Sequence, residues 1–259
     1  MNKKTNKKTN EKPIKKTSNR EESIYVVMPA YNEEENIERT VQDWYPVLKF
    51  GSDKSRLVIA DAGSQDKTHE ILEKLQKKYP KLEIVSDSEK QHGPKVIYLY
   101  NYAIENEADW IFQTDSDGQT NPKEFEGFWK LRKDHDILLG NRTVRGDGKS
   151  RAFVEKTVCA LLRIIFKVKV PDANAPFRLM KSRIVQKYIK KLPSDYNLPN
   201  IILTAYFVHN KENVLFKEVS FKPRQGGVNS INIPKIVKIG WKALSDFRHF
   251  KKDMFAKWN

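Results

Sequence analysis

The chain has 259 residues, of which 39% are hydrophobic, and this is enough for one large or two small globular domains with a substantial core. No apolar run approaches the roughly 18 residues of a membrane-spanning helix. The N-terminus has no apolar segment of the kind found in secretory signals, so we expect no export. A single cysteine, Cys159, excludes an intrachain disulfide, and the five histidines form no Cys/His cluster that would support a zinc site.

The net charge is strongly positive, at +15 with a pI near 9.6. Such a charge requires an acidic partner, which can be nucleic acid, anionic lipid or a phosphorylated substrate. Lysines crowd into residues 1–22, which contain almost no large apolar side chains. We predict that this segment is a disordered basic tail, acting either as a solubilising arm or through attraction to anionic lipid.

Short apolar runs alternate with amphipathic stretches from residue 24 onwards, which is typical of a parallel sheet flanked by helices. The pattern predicts strands at 24–28, 56–60, 83–86, 110–114, 137–140 and 214–221. It predicts helices at 33–45, 66–79, 93–105, 122–133, 153–166, 183–190 and 198–208, and loops at 141–150 and 171–176. The expected fold is an α/β, Rossmann-like, doubly wound and mostly parallel sheet, forming one domain over residues 23–231.

The last segment, residues 232–259, is predicted to be a basic amphipathic helix. Its apolar and aromatic residues recur at helical spacing, with lysines largely away from that stripe. The stripe comprises Val237, Trp241, Leu244, Phe247, Phe255 and Trp258. It either lies in a membrane interface or packs on the core of the domain.

Polar residues follow three of the predicted strands, at 29–33, 61–66 and 115–119. Ligands of open parallel sheets bind beyond the carboxyl ends of the strands. Each stretch alone could be a plain turn, because Asp, Asn, Gly and Ser are common turn residues. All three at one edge of the same sheet predict a binding site.

Alternation in an extended segment places Asp115, Asp117 and Gln119 on one side. Mg²⁺ or Mn²⁺ binds through one or two carboxylates together with phosphate oxygens, so this set suits a cation on a nucleoside diphosphate. A calcium-binding EF-hand loop is the competing interpretation. It fails because Gly118 stands two residues before the required position, which Thr120 occupies.

These motifs together resemble glycosyltransferase family 2, which has the GT-A fold, and especially its dolichol-phosphate mannose synthases and bacterial polyprenyl-phosphate glycosyltransferases. The Asp-x-Asp-x-Gln motif matches residue for residue, and residues 140–142 and 172–178 resemble the family's Gly-Ser-Arg and Ser-Gly-Phe-Arg segments. Arg224-Gln225-Gly226-Gly227 with Ser230 resembles the family's late Arg-x-x-Gly-x-Ser motif. The resemblance spans residues 24–230. Two departures fall on the acceptor side: Ala175-Pro176 replaces Ser-Gly, and the usual acidic residue near the helix at 198–203 is absent, with Asn200 nearby.

The resemblance implies a role for each matching residue. The predicted nucleotide-binding residues are Pro29, Ala30, Tyr31, Glu33, Asp61, Asp115 and Arg224. The predicted metal ligands, for Mg²⁺ or Mn²⁺, are Asp115, Asp117 and Gln119. The predicted catalytic residues are Asp117, Asp172, Arg142 and Arg178.

The need for a general base depends on the acceptor. A hydroxyl must lose a proton in the transition state, which calls for a carboxylate such as Asp172 or Asp195. A phosphate monoester is already largely dianionic at neutral pH and needs no base. Planar arginine side chains at 142, 178 and 224 suit phosphate recognition.

We therefore predict an inverting glycosyltransferase that moves a sugar from a nucleoside-diphosphate sugar to a membrane-associated acceptor, with polyprenyl phosphate as the leading choice. It would be peripheral on the cytoplasmic face of an anionic membrane. An alternative is transfer to a sugar hydroxyl during cell-surface polysaccharide or lipopolysaccharide assembly. Another is a relative that binds without catalysis. A basic nucleic-acid-binding protein is disfavoured because the carboxylates at 61, 66, 115 and 117 would repel phosphates.

Overall fold

The computed structural model describes residues 20–145, 149–223 and 245–256. Seven strands are present in these ranges: β1 Ile24–Ala30, β2 Arg56–Asp61, β3 Leu82–Val85, β4 Trp110–Thr114, β5 Ile137–Arg145, β6 Phe177–Lys181 and β7 Val214–Phe221. The α-helices are α1 Ile37–Trp44, α2 Thr68–Lys78, α3 His92–Glu105, α4 Phe125–Leu131, α5 Lys149–Phe166, α6 Ser182–Ile189, α7 Pro199–His209 and α8 at residues 245–255. Short 3₁₀ helices cover Tyr45–Phe50 and Pro122–Glu124.

The strands form one sheet in the order β3-β2-β1-β4-β6-β5-β7. β1 pairs in parallel with β2 and β4, β2 with β3, and β5 with β7. β6 is antiparallel to both of its neighbours, β4 and β5. The predicted α/β fold with a mostly parallel sheet is therefore confirmed.

Four local predictions were wrong. The predicted loop at 141–150 is wrong at both ends, because β5 continues to Arg145 in pairing with β7, with an irregularity between Arg142 and Val144, and α5 already begins at Lys149. β6 was not predicted at all. The first helix begins at Ile37 and not at residue 33, because the amides of residues 32–34 donate hydrogen bonds to the segment that follows β2. The helix predicted at 122–133 starts as a 3₁₀ turn and ends at Leu131.

Helices cover both faces of the sheet, so alternate residues of β1 enter different cores. Tyr25 and Val27 pack with α3, α5, α6 and α7 on one face. Val26 and Met28 pack with α1, α4 and the Tyr45–Phe50 helix on the other. A strand buried on both faces must be apolar throughout, which explains the sequence of β1.

The described part of the C-terminal segment packs on the domain. Phe247 of α8 is buried against Phe166 of α5, with ring centroids 5.4 Å apart. Asp253 accepts a hydrogen bond from the hydroxyl of Tyr206 at 2.6 Å. Phe255 remains 47% exposed. The other members of the predicted stripe, which are Val237, Trp241, Leu244 and Trp258, lie outside the described residues. Residues 1–19 of the predicted basic tail also lie outside them.

Across the three described ranges, each helix falls short of the length and apolar character that crossing a bilayer requires.

Close approach of two backbones fixes the start of α3. A Cβ atom added to Gly93 would lie 2.5 Å from the carbonyl carbon, Cα and carbonyl oxygen of Asn197, which are backbone atoms and cannot turn aside. We expect Gly93→Ala to lower the free energy of unfolding by about 2 kcal/mol or more, measured by urea denaturation.

Gly127→Ala is the matched control for this change. Its added Cβ would meet only the flexible end of Lys217, at 3.3 Å, within helix α4. Because alanine favours helix more than glycine does, this variant should be more stable by about 0.5–1 kcal/mol. Equal effects of the two substitutions would contradict the close contact at Gly93.

Candidate active site

The carboxyl ends of β1, β2 and β4 lie side by side, and the loops that follow them are in contact. The hydroxyl of Ser116 donates a hydrogen bond to the carbonyl oxygen of Pro29 at 2.9 Å. The amide of Asn32 donates to the hydroxyl of Ser64 at 3.0 Å. The prediction that three polar loops meet at one edge of the sheet is therefore confirmed.

Reciprocal hydrogen bonds lock the loop after β1 to the loop after β2. The amide of Glu33 donates to the hydroxyl of Thr68 at 2.7 Å, and the amide of Gln65 donates to the side-chain oxygen of Asn32 at 2.8 Å. Asn32 adopts a left-handed backbone conformation, with φ of 53°, which asparagine tolerates better than most residues. The two loops therefore form one rigid wall beside the strand ends.

A buried lysine that the sequence analysis missed lies beside two of the predicted nucleotide-binding residues, Ala30 and Tyr31. Asp61, at the end of β2, accepts a hydrogen bond from Ser64 and lies 3.1 Å from Nδ1 of His69. Lys95 of α3 is only 1% exposed, its ammonium group donates to the carbonyl oxygen of Ala30, and it lies 5.3 Å from the ring centroid of Tyr31.

Burial of Lys95 has an electrostatic cost. Removal from water lowers the pKa of Lys95 to about 8, although the negative charge of Asp61 opposes this shift. At neutral pH the group is therefore still a cation, held next to the end of β1. A buried cation at this place suits an anionic ligand.

The predicted metal ligands follow β4 in an oxygen-rich turn. Oδ1 of Asp115 accepts a hydrogen bond from Nε2 of Gln113 at 3.2 Å. The same oxygen lies 3.3 Å from Nε2 of His92. Oδ1 of Asp117 accepts from the backbone amide of Gln119 at 3.1 Å. The intervening Gly118 has a left-handed backbone, with φ of 72°.

The donor set of this turn fits a hard divalent cation. Nε2 of Gln119 donates to the carbonyl oxygen of Lys222 at 2.7 Å, so the amide oxygen is the end available to an ion. Two carboxylates and one amide oxygen match the preference of Mg²⁺ and Mn²⁺ for oxygen. Within the described ranges no group of three or more His, Cys, Asp or Glu residues could hold a metal ion by itself. Substrate oxygens would have to complete the coordination.

A buried polar chain lies behind Asp115. Asn200 donates from Nδ2 to Oε1 of Gln113 at 3.0 Å and accepts from the hydroxyl of Tyr100 at 2.8 Å. Burial raises the pKa of Tyr100 far above its usual value, so its hydroxyl remains protonated. Asn200 lies near the place where the family resemblance implies an acid, and its amide links Tyr100 to Gln113, which in turn donates to Asp115.

On the acceptor side, Arg142 and Asp172 form a bidentate ion pair. The arginine donates from Nε to Oδ2 at 2.7 Å and from Nη2 to Oδ1 at 2.9 Å. Nη2 also contacts Oε2 of Glu155 at 3.2 Å, and Oε1 of Glu155 accepts from the amide of Ala173 at 2.7 Å. Sequence analysis missed Glu155, which ties α5 to this loop.

The two carboxylates of this cluster differ in basicity. Burial alone would raise the pKa of Asp172, but hydrogen bonds and the charge of Arg142 outweigh it and lower the pKa. Burial and the charge of Asp172 raise the pKa of Glu155. Asp172 is therefore a stable anion with both oxygens occupied, which makes it a weak proton acceptor.

The remaining predicted residues are placed differently. Arg178 lies on β6 opposite Gln113, is 1% exposed, and donates from Nη2 to the hydroxyl of Thr204 at 2.9 Å. Its Nε has no hydrogen-bond partner in the described structure. Arg178 thus lies beneath the loop at 171–176 instead of on the surface of the site. Asp195 is exposed, and Arg224 lies outside the described residues.

Comparisons with known proteins agree with this architecture. The model of Glycosyl transferase family 2 matches residues 25–189, which is more than half of the chain. An uncharacterised glycosyltransferase of Synechocystis sp. is 28% identical over 172 residues, which cover 66% of this chain and 53% of the relative. The undecaprenyl-phosphate 4-deoxy-4-formamido-L-arabinose transferase of Photorhabdus laumondii is 22% identical over 223 residues, covering 86% of this chain and 67% of the relative. The chain thus spans about half to two thirds of these relatives.

A similar fold occurs in glucosyl-3-phosphoglycerate synthase from Mycobacterium tuberculosis, crystallised with Mn²⁺, UDP-glucose and phosphoglyceric acid. The TM-score is 0.67 at 16% identity, over 89% of this chain and 80% of the synthase. The fold is therefore GT-A. The chain belongs to Glycosyl transferase family 2.

We expect Lys95→Met to stabilise the protein at neutral pH. Between pH 8 and the ordinary lysine value of 10.5, the unfolded chain binds a proton that the folded protein has released, so the wild type gains stability as pH rises. The variant should be more stable by about 2 kcal/mol at pH 7, with the gain vanishing near pH 10.5. Urea unfolding at both pH values measures this. A less stable variant at pH 7 would contradict the cost assigned to burial.

Removal of the Asp172 charge tests the ion pair. Asp172→Asn leaves Arg142 buried without its bidentate partner, so unfolding free energy at pH 7 should fall by about 3 kcal/mol. Because folding lowers the pKa of Asp172, its stabilising contribution is lost as pH falls through that value, and the difference should shrink below about pH 4. The exposed Asp195→Asn serves as control and should change stability by less than about 0.5 kcal/mol.

Proposed function

We propose that the protein transfers a sugar, with inversion, from a nucleoside-diphosphate sugar to a membrane-associated lipid phosphate, with polyprenyl phosphate as the acceptor. The reaction would need Mg²⁺ or Mn²⁺ and would take place at the cytoplasmic face of the membrane. The Photorhabdus laumondii relative, whose name states an undecaprenyl-phosphate substrate, supports this choice.

One observation carries the choice of acceptor: the buried carboxylates on the acceptor side are already engaged. Both oxygens of Asp172 accept hydrogen bonds from Arg142, and both oxygens of Glu155 have partners. A hydroxyl nucleophile needs a base to take its proton. A phosphate monoester is mostly dianionic at neutral pH and attacks without one.

The donor half would bind the nucleotide along the wall formed by the first two loops. Asp61 is proposed to accept a hydrogen bond from the base, and Tyr31 and Glu33 to line the pocket with Pro29 and Ala30. The ammonium group of Lys95, buried beside Ala30, would add positive charge near the bound nucleotide.

Asp115, Asp117 and Gln119 would hold the cation, with phosphate oxygens of the donor completing its coordination. When bound, such a cation neutralises the charge that develops on a diphosphate leaving group. Gln113 and Asn200 position Asp115 through their amide hydrogen bonds. Gln113 and Asn200 would therefore act only by orienting Asp115.

On the acceptor side, Arg142 and Arg224 are proposed to bind the phosphate of the acceptor. Planar guanidinium groups suit phosphate oxygens. Arg178, beneath the loop at 171–176, would support Ala173, whose carbonyl oxygen lies 3.5 Å from Nη1 of the arginine. It would also add positive charge to the acceptor side.

The proposed reaction can be tested with purified protein, Mn²⁺, a panel of nucleotide sugars and undecaprenyl phosphate. We expect a glycolipid that mild acid hydrolyses, because a sugar attached to phosphate is acid-labile. Asp117→Asn should lower the rate by about 100-fold or more, since it removes one of two carboxylates from the cation site. Glu126→Gln, an exposed change on α4, is the control and should retain the wild-type rate.

Two results would contradict the proposal. An acid-stable glycoside formed on a sugar hydroxyl would establish the alternative acceptor. Full activity of Asp117→Asn would remove the cation from the mechanism.

A further inference from the structure

The outer face of α5 exposes large apolar side chains to solvent. Phe153 is 72% exposed and Ile164 is 65% exposed. They are three helical turns apart and therefore lie on the same face of the helix. Phe255 is near the end of this helix, because its ring is 4.6 Å from that of His209, which contacts the carbonyl oxygen of Phe166. Exposed apolar side chains grouped in this way mark an interaction surface.

On α5 and directly after it, the charged side chains that are exposed in the described structure are positive. Lys156, Arg163 and Lys167 are exposed beside the apolar residues. Glu155 is the one acidic residue in the sequence of α5, and it is turned inwards to Arg142 and the amide of Ala173. An apolar stripe flanked by cations is typical of helices that lie in a membrane interface.

We propose that the outer face of α5, comprising Phe153, Lys156, Arg163, Ile164 and Lys167, docks on the surface of an anionic lipid bilayer. The apolar side chains enter the boundary between headgroups and acyl chains, and the cations pair with lipid phosphates. The docking surface is the part of the protein that would contact the membrane in the proposed function. It rests on that function in one respect, which is the location of the acceptor in the bilayer.

Charge argues against two other occupants of this face. A second copy packed on it symmetrically would bring the same cations into opposition. The segment at 224–244 contains four basic residues and no acidic residue, so its charge would also repel the face. An anionic bilayer is complementary to it.

Docking here would bring the membrane close to the acceptor side of the site. The helix that presents Phe153 outwards presents Glu155 inwards, and Glu155 contacts both Arg142 and the loop at 171–176. A phosphate at the bilayer surface would therefore approach the site from the side of α5.

The test uses the full chain and sedimentation with vesicles of phosphatidylcholine alone or with 30 mol% phosphatidylglycerol, an arbitrary composition of roughly bacterial charge. We expect binding to the anionic vesicles, and a loss of about tenfold in partition coefficient for F153S/I164S, because both apolar side chains are removed. The triple variant K156Q/R163Q/K167Q should lose roughly tenfold or more, and this loss should diminish in high salt.

A matched control is K74Q/K77Q/K78Q on α2, which removes the same charge from exposed positions elsewhere. It should retain most of the binding. Equal loss in the control and the α5 triple variant, or wild-type binding of F153S/I164S, would overturn the proposal. Self-association of the wild type that F153S/I164S abolishes, without vesicle binding, would assign the face to a second copy and would also overturn it.

Thermal shifts with Mn²⁺ and nucleotide sugars separate this inference from the proposed function. The α5 variants should keep the donor-induced shift of the wild type, because none of the substituted residues belongs to the predicted donor site. If vesicle binding depends on α5 but no lipid phosphate is glycosylated, the docking surface is still supported while the proposed acceptor is not. Glycosylation of a lipid phosphate at the wild-type rate by F153S/I164S in vesicles would refute the docking surface alone.

Discussion

Parallel pairing of β1 with β2 and β4 is the constraint on which the site depends. It brings three loops to one edge of the sheet, where their polar groups satisfy each other across distances of 2.7–3.0 Å. The strands themselves are buried on both faces and supply the stability. The loops can therefore carry aspartates and left-handed residues that would be costly in an isolated segment.

Much of the fold could be predicted because hydrophobic periodicity is local. The pattern gave β4 and β7 with the observed boundaries and placed the helices to within a few residues. β6 was missed because it follows a loop rich in small residues, leads directly into α6, and pairs with two strands distant in sequence. The polar end of β5 was missed for a similar reason, since only β7 keeps residues 141–145 extended.

The donor side of the candidate site was more predictable than its supporting residues. Strand ends indicate where ligands bind, but not which distant side chains reach them. Two charged residues nevertheless left a local signal that was overlooked. Lys95 precedes Leu99 and Ala103 at helical spacing, and Glu155 precedes Cys159 and Leu162 likewise, so each stands on a face that is otherwise apolar. Asn200 gave no such signal, because its partners come from β4 and α3.

β6 acts as a spacer between the two halves of the site. It lies between β4, which leads into Asp115, and β5, which carries Arg142. Adjacent strands are about 4.8 Å apart, so one intervening strand separates these elements by roughly 10 Å. The width of one strand thus sets how far apart the two predicted halves of the site lie.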